Sequence, residues 1–78
     1  MEGHKDEKPF QRERKILGKT IKRLRVERRL TQEDLANRSH MNVSYLAKIE
    51  NGYVNTTVRY LIKISRGLRI RTRDLVEF

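Results

Sequence analysis

Reactive chemistry is sparse in this chain of 78 residues, and cations dominate what there is. There is no Cys, which excludes disulfides, thiolate metal sites and cysteine catalysis. His4 and His40 are the two histidines, and no carboxylate stands at metal-ligand spacing from His40. Nucleophile-base pairs and glycine-rich phosphate loops are absent, and the carboxylates beyond residue 15 are scattered. The expectation is a protein that is not an enzyme and that uses no cofactor and no metal. Nineteen Lys and Arg against ten Asp and Glu give a formal charge of +9. The chemistry this permits is neutralisation and hydrogen bonding of an acidic partner, of which nucleic acid is the commonest.

The charge is unevenly placed. Residues 1–15 carry five basic side chains (Lys5, Lys8, Arg12, Arg14, Lys15) and four acidic ones, with Phe10 as the only large apolar residue after Met1. Such a stretch buries too little surface to offset its ordering entropy, so it is expected to be a disordered, charged N-terminal tail. Residues 16–78 carry 14 basic and 6 acidic side chains and are expected to form one domain. The apolar runs are too short for a membrane span or a signal-peptide core.

Five helices are expected to position these groups. Leu17, Ile21 and Leu24 share one face of the first. Thr31 is suited to cap the second, with Gln32-Glu33-Asp34 in its first turn, Leu35 and Ala36 buried, and an end near Arg38. After a connection at Ser39-His40-Met41, Asn42 caps a third helix, Val43 to Asn51, with Leu46 and Ile49 inward. Gly52 suits a left-handed closing position. Thr57 caps a fourth, Val58 to about Arg66, with Leu61, Ile64 and Leu68 inward and Gly67 near its end. A short fifth is expected over Thr72 to Glu77.

The second and third helices have helix-turn-helix spacing. With Gln32 as the first position of the unit, Ala36 is the fifth, where only a small side chain lets the helices cross. His40 is the ninth, in the turn. Leu46 and Ile49 are the fifteenth and eighteenth, facing the core. That leaves Val43, Ser44, Tyr45 and Lys48 on an outer face free to enter a major groove.

These residues resemble a known family. Gly18, Ile21, Leu24-Arg25, Leu30-Thr31-Gln32-Glu33-Asp34-Leu35-Ala36, Ile49-Glu50-Asn51-Gly52 and Leu61-Ile62-Lys63-Ile64 are similar to the Cro/C1-type (xenobiotic-response-element) helix-turn-helix domains of phage repressors and bacterial regulators. The resemblance covers roughly residues 17–76. It implies an all-α, five-helix, lambda-repressor-like domain that binds DNA through its second and third helices. Small controller proteins of restriction-modification systems look nearest, through their length and a Thr-rich loop resembling Asn55-Thr56-Thr57-Val58. Two positions depart from the family: His40 stands where Gly is usual, and Thr56 where Pro is common. His is enriched among non-Gly residues at positive φ, so the turn stays feasible.

The resemblance also implies roles. Val43, Ser44 and Lys48 would face base edges: Lys48 donating to guanine, Ser44 donating or accepting, Val43 touching a thymine methyl. Gln32, Tyr45, Asn51, Tyr53, Asn55 and Thr57 would contact the DNA backbone, helped by the free N–H groups at the starts of the second, third and fourth helices. Arg23, Arg28, Arg29 and Arg59 add charge. Arg25 and Glu50 would form an internal structural ion pair. Ile70, Leu75, Val76 and Phe78 would supply a symmetric dimer contact. The function implied is a sequence-specific, double-stranded DNA-binding transcription regulator or repressor. It would read the major groove with helix 43–51, as a homodimer on a palindromic operator, without a small-molecule ligand or a membrane. It would be bacterial or phage-encoded and act in the cytoplasm, on the nucleoid. A protein-interaction module of the same fold, an antitoxin or a bridging factor, is the alternative, and charge-driven, non-specific nucleic-acid binding is a third reading.

Overall fold

The computed structural model describes residues 9–78, so expectations for residues 1–8 fall outside it. Four α-helices follow one another: α1 (Gln11–Glu27), α2 (Gln32–Arg38), α3 (Val43–Glu50) and α4 (Val58–Leu68). Among the described residues there is no strand. The fifth helix expected over Thr72–Glu77 is only a 3-10 turn, Thr72–Asp74. Leu75, which is fully buried, is the only core anchor there, and one anchor does not offset the cost of nucleating a helix.

Gln11, not Ile16, opens α1, so residues 11–15 are not part of a tail. Apolar spacing could not reveal this, because the first turn is held by polar contacts. Arg14, 7% exposed, donates through Nε to the Gly52 carbonyl at 3.0 Å and through Nη1 to the Pro9 carbonyl.

Leu17, Ile21, Leu35, Ala36, Leu46, Ile49, Ile64, Leu68 and Leu75 form the core. Burying each large side chain contributes about 1.5–3 kcal/mol. Leu24, Leu61 and Ile70 pack against this core but are only half-buried. Two glycines allow the helices to approach. A Cβ at Gly18 would collide with the Ile49 and Glu50 carbonyls of α3, and one at Gly67 with the Ser39 hydroxyl and Leu35 beside α2. Gly67 therefore lies inside α4 as a packing residue and does not terminate it.

All four helices end in the same closure. Arg29, His40, Gly52 and Arg69 have φ of 57°, 53°, 73° and 60°. The N–H after each returns to a carbonyl five residues back: Leu30 to Arg25, Met41 to Ala36, Tyr53 to Lys48 and Ile70 to Ser65, at 2.9–3.1 Å. These are Schellman motifs, which satisfy the last carbonyls of a helix. Only one of the four positions is glycine, so composition marked just part of the pattern.

The chain end folds back over α1. Glu77 accepts from the Thr20 hydroxyl at 2.8 Å and pairs with Arg23 at 3.3 Å. With Leu75 in the core and Ile70 packed on it, only Val76 and Phe78 of the four residues expected at a dimer contact are exposed.

Candidate nucleic-acid interface

Three capped helix starts frame the interface. The Thr31 hydroxyl accepts from Asp34 N–H at 3.0 Å, and the Asp34 carboxylate accepts from Thr31 N–H at 2.9 Å, a reciprocal capping box. The Thr31 backbone N–H, then the Thr31 side chain, hold the Asp34 carboxyl below its ordinary range; desolvation opposes them, and the Arg38 guanidinium helps least. Asn42 Oδ1 accepts from both Ser44 and Tyr45 N–H, at 2.8 and 3.2 Å. Thr57 Oγ1 accepts from Tyr60 N–H at 3.3 Å. The expectation of free N–H donors at these three starts is thereby reduced. At α3 the chain's own Asn42 takes two of them and leaves the Val43 N–H, and the uncapped first N–H groups of α2 and α4 also stay open to a phosphate.

Behind this frame a buried cluster ties three helices together. Arg25 of α1 grips Glu50 of α3 with two bonds, Nε to Oε2 at 2.8 Å and Nη2 to Oε1 at 3.1 Å. Gln32 of α2 donates to the same carboxylate at 3.0 Å, and Arg25 Nη1 reaches the Leu30 carbonyl at 2.8 Å. The Glu50 side chain is only 2% exposed. Fork-to-fork guanidinium–carboxylate geometry is directional, so the cluster sets how α3 sits on α1 and α2. Glu50 takes one of the two Gln32 amide N–H donors, and the other is left for a further acceptor.

The outer face of α3 is narrower than expected. Ser44 and Lys48, one turn apart, are exposed. Val43 and Tyr45 are half-buried and pack on the core, so neither stands free on the surface. The Tyr45 ring lies 4.9 Å from that of Tyr60 on α4, tilted by 53°. The Lys63 ammonium sits 5.3 Å from the Tyr60 centroid and donates to the His40 carbonyl at 3.0 Å. Together these contacts brace the start of α3, and the turn before it, against α4. Asn51, Tyr53, Asn55 and Thr57 all lie exposed at the end of α3 and in the loop before α4. Arg23 is engaged by Glu27 and Glu77, and Arg28 by the Leu24 and Leu68 carbonyls, whereas Arg29 and Arg59 are exposed.

Sequence reasoning missed one group. Lys15, Lys19 and Lys22, on one face of α1, line a shallow cleft of about 390 Å³ with Glu50 and Asn51. Their spacing of four and three is legible in the sequence, but the low apolar content of residues 1–15 places Lys15 in the expected tail. The stripe extends the positive surface from the end of α3 along α1.

A family model for helix-turn-helix domains matches residues 21–75. The chain belongs to the Cro/C1-type helix-turn-helix family. This is a family of DNA-binding transcriptional regulators, repressors and controller proteins. The chain is 38% identical over 63 residues to the uncharacterized HTH-type transcriptional regulator y4dJ of Sinorhizobium fredii, an alignment spanning 81% of this chain and 82% of that protein. It is 37% identical over 60 residues to the immunity repressor of Bacillus phage phi105, spanning 77% of this chain but 42% of the repressor. Among solved structures, the restriction-modification controller protein C.AhdI of Aeromonas hydrophila superposes with a TM-score of 0.78 at 31% identity, covering 80% of this chain and 94% of that one.

Proposed function

We propose that this protein is a sequence-specific, double-stranded DNA-binding transcriptional regulator that inserts α3 into the major groove, Ser44 and Lys48 meeting base edges. The observation that carries the reading is the exposed Ser44–Lys48 face of α3, held at a set angle by the Arg25–Glu50–Gln32 cluster. Lys48 has the reach and the donors for guanine O6 and N7, and Ser44 suits a less selective contact. Tyr45 and Val43 serve mainly to hold the helix, with Val43 left a marginal thymine contact. Phosphates are met by the open N–H groups of α2 and α4, by Asn51, Tyr53, Asn55 and Thr57, and by the Lys15–Lys19–Lys22 stripe.

The protein works as a homodimer on a near-palindromic operator, since two-fold symmetry matches half-sites one helical turn apart. Support comes from a groove of about 220 Å³ whose walls include the exposed Phe10 and Phe78 and the partly buried Val54 and Leu61. Exposed Val58, at the start of α4, adds further apolar surface.

Operator selection from a random duplex library followed by titration tests the reading. Lys48→Ala weakens the selected site by on the order of 1–3 kcal/mol and relaxes one base pair per half-site, while binding to random duplex changes little. Equal losses on both duplexes would assign Lys48 to a phosphate. Sedimentation that finds a monomer at high concentration, with one protomer per operator, would refute the dimer.

A further inference from the structure

The end of the molecule reached by the last turns of α1, α2 and α4 carries positive charge that the DNA-reading surface does not use. Arg28 of the α1 terminus bonds the Leu68 carbonyl at the α4 terminus at 2.9 Å, which brings those two ends together. Gly67 of α4 lies against Ser39 and the Arg38 side chain at the end of α2, which brings in the third. Arg28, Arg29, Arg38, Arg66 and Arg69 therefore gather at one end. Arg38, Arg66 and Arg69 line a cleft of about 320 Å³ floored by Gly67.

Helix C-termini favour cations, so part of this charge has a local purpose. Magnitudes show that it is not all of it. Three C-termini supply roughly half a negative charge each. The nearby carboxylates are Asp34, one turn before Arg38 on α2, and Glu27, already engaged by Arg23. Five guanidiniums exceed the sum of these by about 1.5 to 2.5 charges. Among the described residues, Arg29, Arg38, Arg66 and Arg69 make no side-chain ion pair.

A second observation is independent of charge. Arg69 occupies a left-handed closing position, φ 60°, where glycine would sit without strain. An arginine there is a local cost borne by the fold, and among the described residues its side chain makes no ion pair. Backbone strain of this kind collects at functional positions.

We infer that the Arg38–Arg66–Arg69 cleft is a docking surface for an acidic protein segment, whose carboxylate side chains seat between the guanidiniums. Two features favour a peptide over a duplex. The cleft lies about 12 Å along α4 beyond Tyr60, the residue that touches α3, so it is set back from the reading face. Its concave floor at Gly67 admits a carboxylate, whereas a duplex presents phosphates on a broad convex cylinder. The surface is separate from the α3 face, and the inference stands whether or not α3 reads DNA.

The test uses the full chain and a fluorescein-labelled octapeptide of alternating Asp and Glu, with an uncharged peptide of equal length as control. Anisotropy at 0.15 M salt is expected to show saturable binding of the acidic peptide alone. The double variant Arg66→Gln/Arg69→Gly is expected to lose at least tenfold in that affinity. It should melt no lower than the parent, because Gly relieves the φ at position 69, and it should bind a 30-base-pair duplex as the parent does. Lys48→Ala is expected to leave peptide binding unchanged. The inference is overturned by an absence of saturable binding, by an equal loss in Lys48→Ala, or by a tenfold loss of duplex affinity in the double variant, which would make the occupant a nucleic-acid backbone.

Discussion

Glu50→Ala separates the contribution of the buried cluster from that of the apolar core. The substitution removes a carboxylate that satisfies two Arg25 donors and the Gln32 amide, all within 3.1 Å. The Arg25 side chain is 11% exposed, so water does not readily replace what is lost. Breaking a buried pair from one side costs about 3–5 kcal/mol. The lower end applies here, because Arg25 keeps its bond to the Leu30 carbonyl. For a domain of this size total stability is about 4–10 kcal/mol, so a loss of about 3 kcal/mol removes roughly 30–75% of it. The corresponding fall in Tm is about 12–24 °C. Urea unfolding followed by circular dichroism reads the loss directly, with an unchanged m-value certifying that the unfolded state is not the cause. The companion double variant Arg25→Met/Glu50→Leu removes both charges at similar volume and is expected to recover most of the stability, because no ion is left buried alone. A loss below about 1 kcal/mol for Glu50→Ala, or a double variant as unstable as the single one, would refute the unpaired-charge argument.

Two further outcomes are expected. The folded Asp34 carboxyl titrates below its ordinary value of 3.8, so its contribution is present above about pH 4 and is lost as pH falls through the lowered folded value; Asp34→Asn should flatten the stability profile in that acid window, and coincident profiles for variant and parent would count against the capping box. His40 is exposed with φ 53°, and its carbonyl rather than its ring receives Lys63, so His40→Gly should raise stability by about 0.5–1 kcal/mol; a lower Tm would show that the imidazole makes a stabilising contact.

Several features follow from local rules and could be read from residue order. Thr31, Asn42 and Thr57 are capping residues that act within three positions of themselves, and all three cap where expected. Leu17, Ile21, Leu46, Ile49, Ile64 and Leu68 are inward because helical periodicity places them on one face, and the left-handed closures at His40 and Gly52 follow from residue type and position. Other features depend on what the chain brings together from far away. Arg14 reads as part of a tail until the Gly52 carbonyl, 38 residues on, accepts its hydrogen bond. Val43 and Tyr45 look outward by helical phase alone, and only their packing on the core, with Tyr60 of α4 against Tyr45, decides that they are supports. The convergence of Arg38, Arg66 and Arg69 has no sequence signature, since it arises from the packing of α2 on α4 across Gly67. The sequence by itself determined the inward faces of four helices, the caps of α2, α3 and α4, and the family. Tertiary structure decided which charges are spent inside the fold and which are left for a partner, because a charge finds its counterpart by spatial distance and not by separation along the chain.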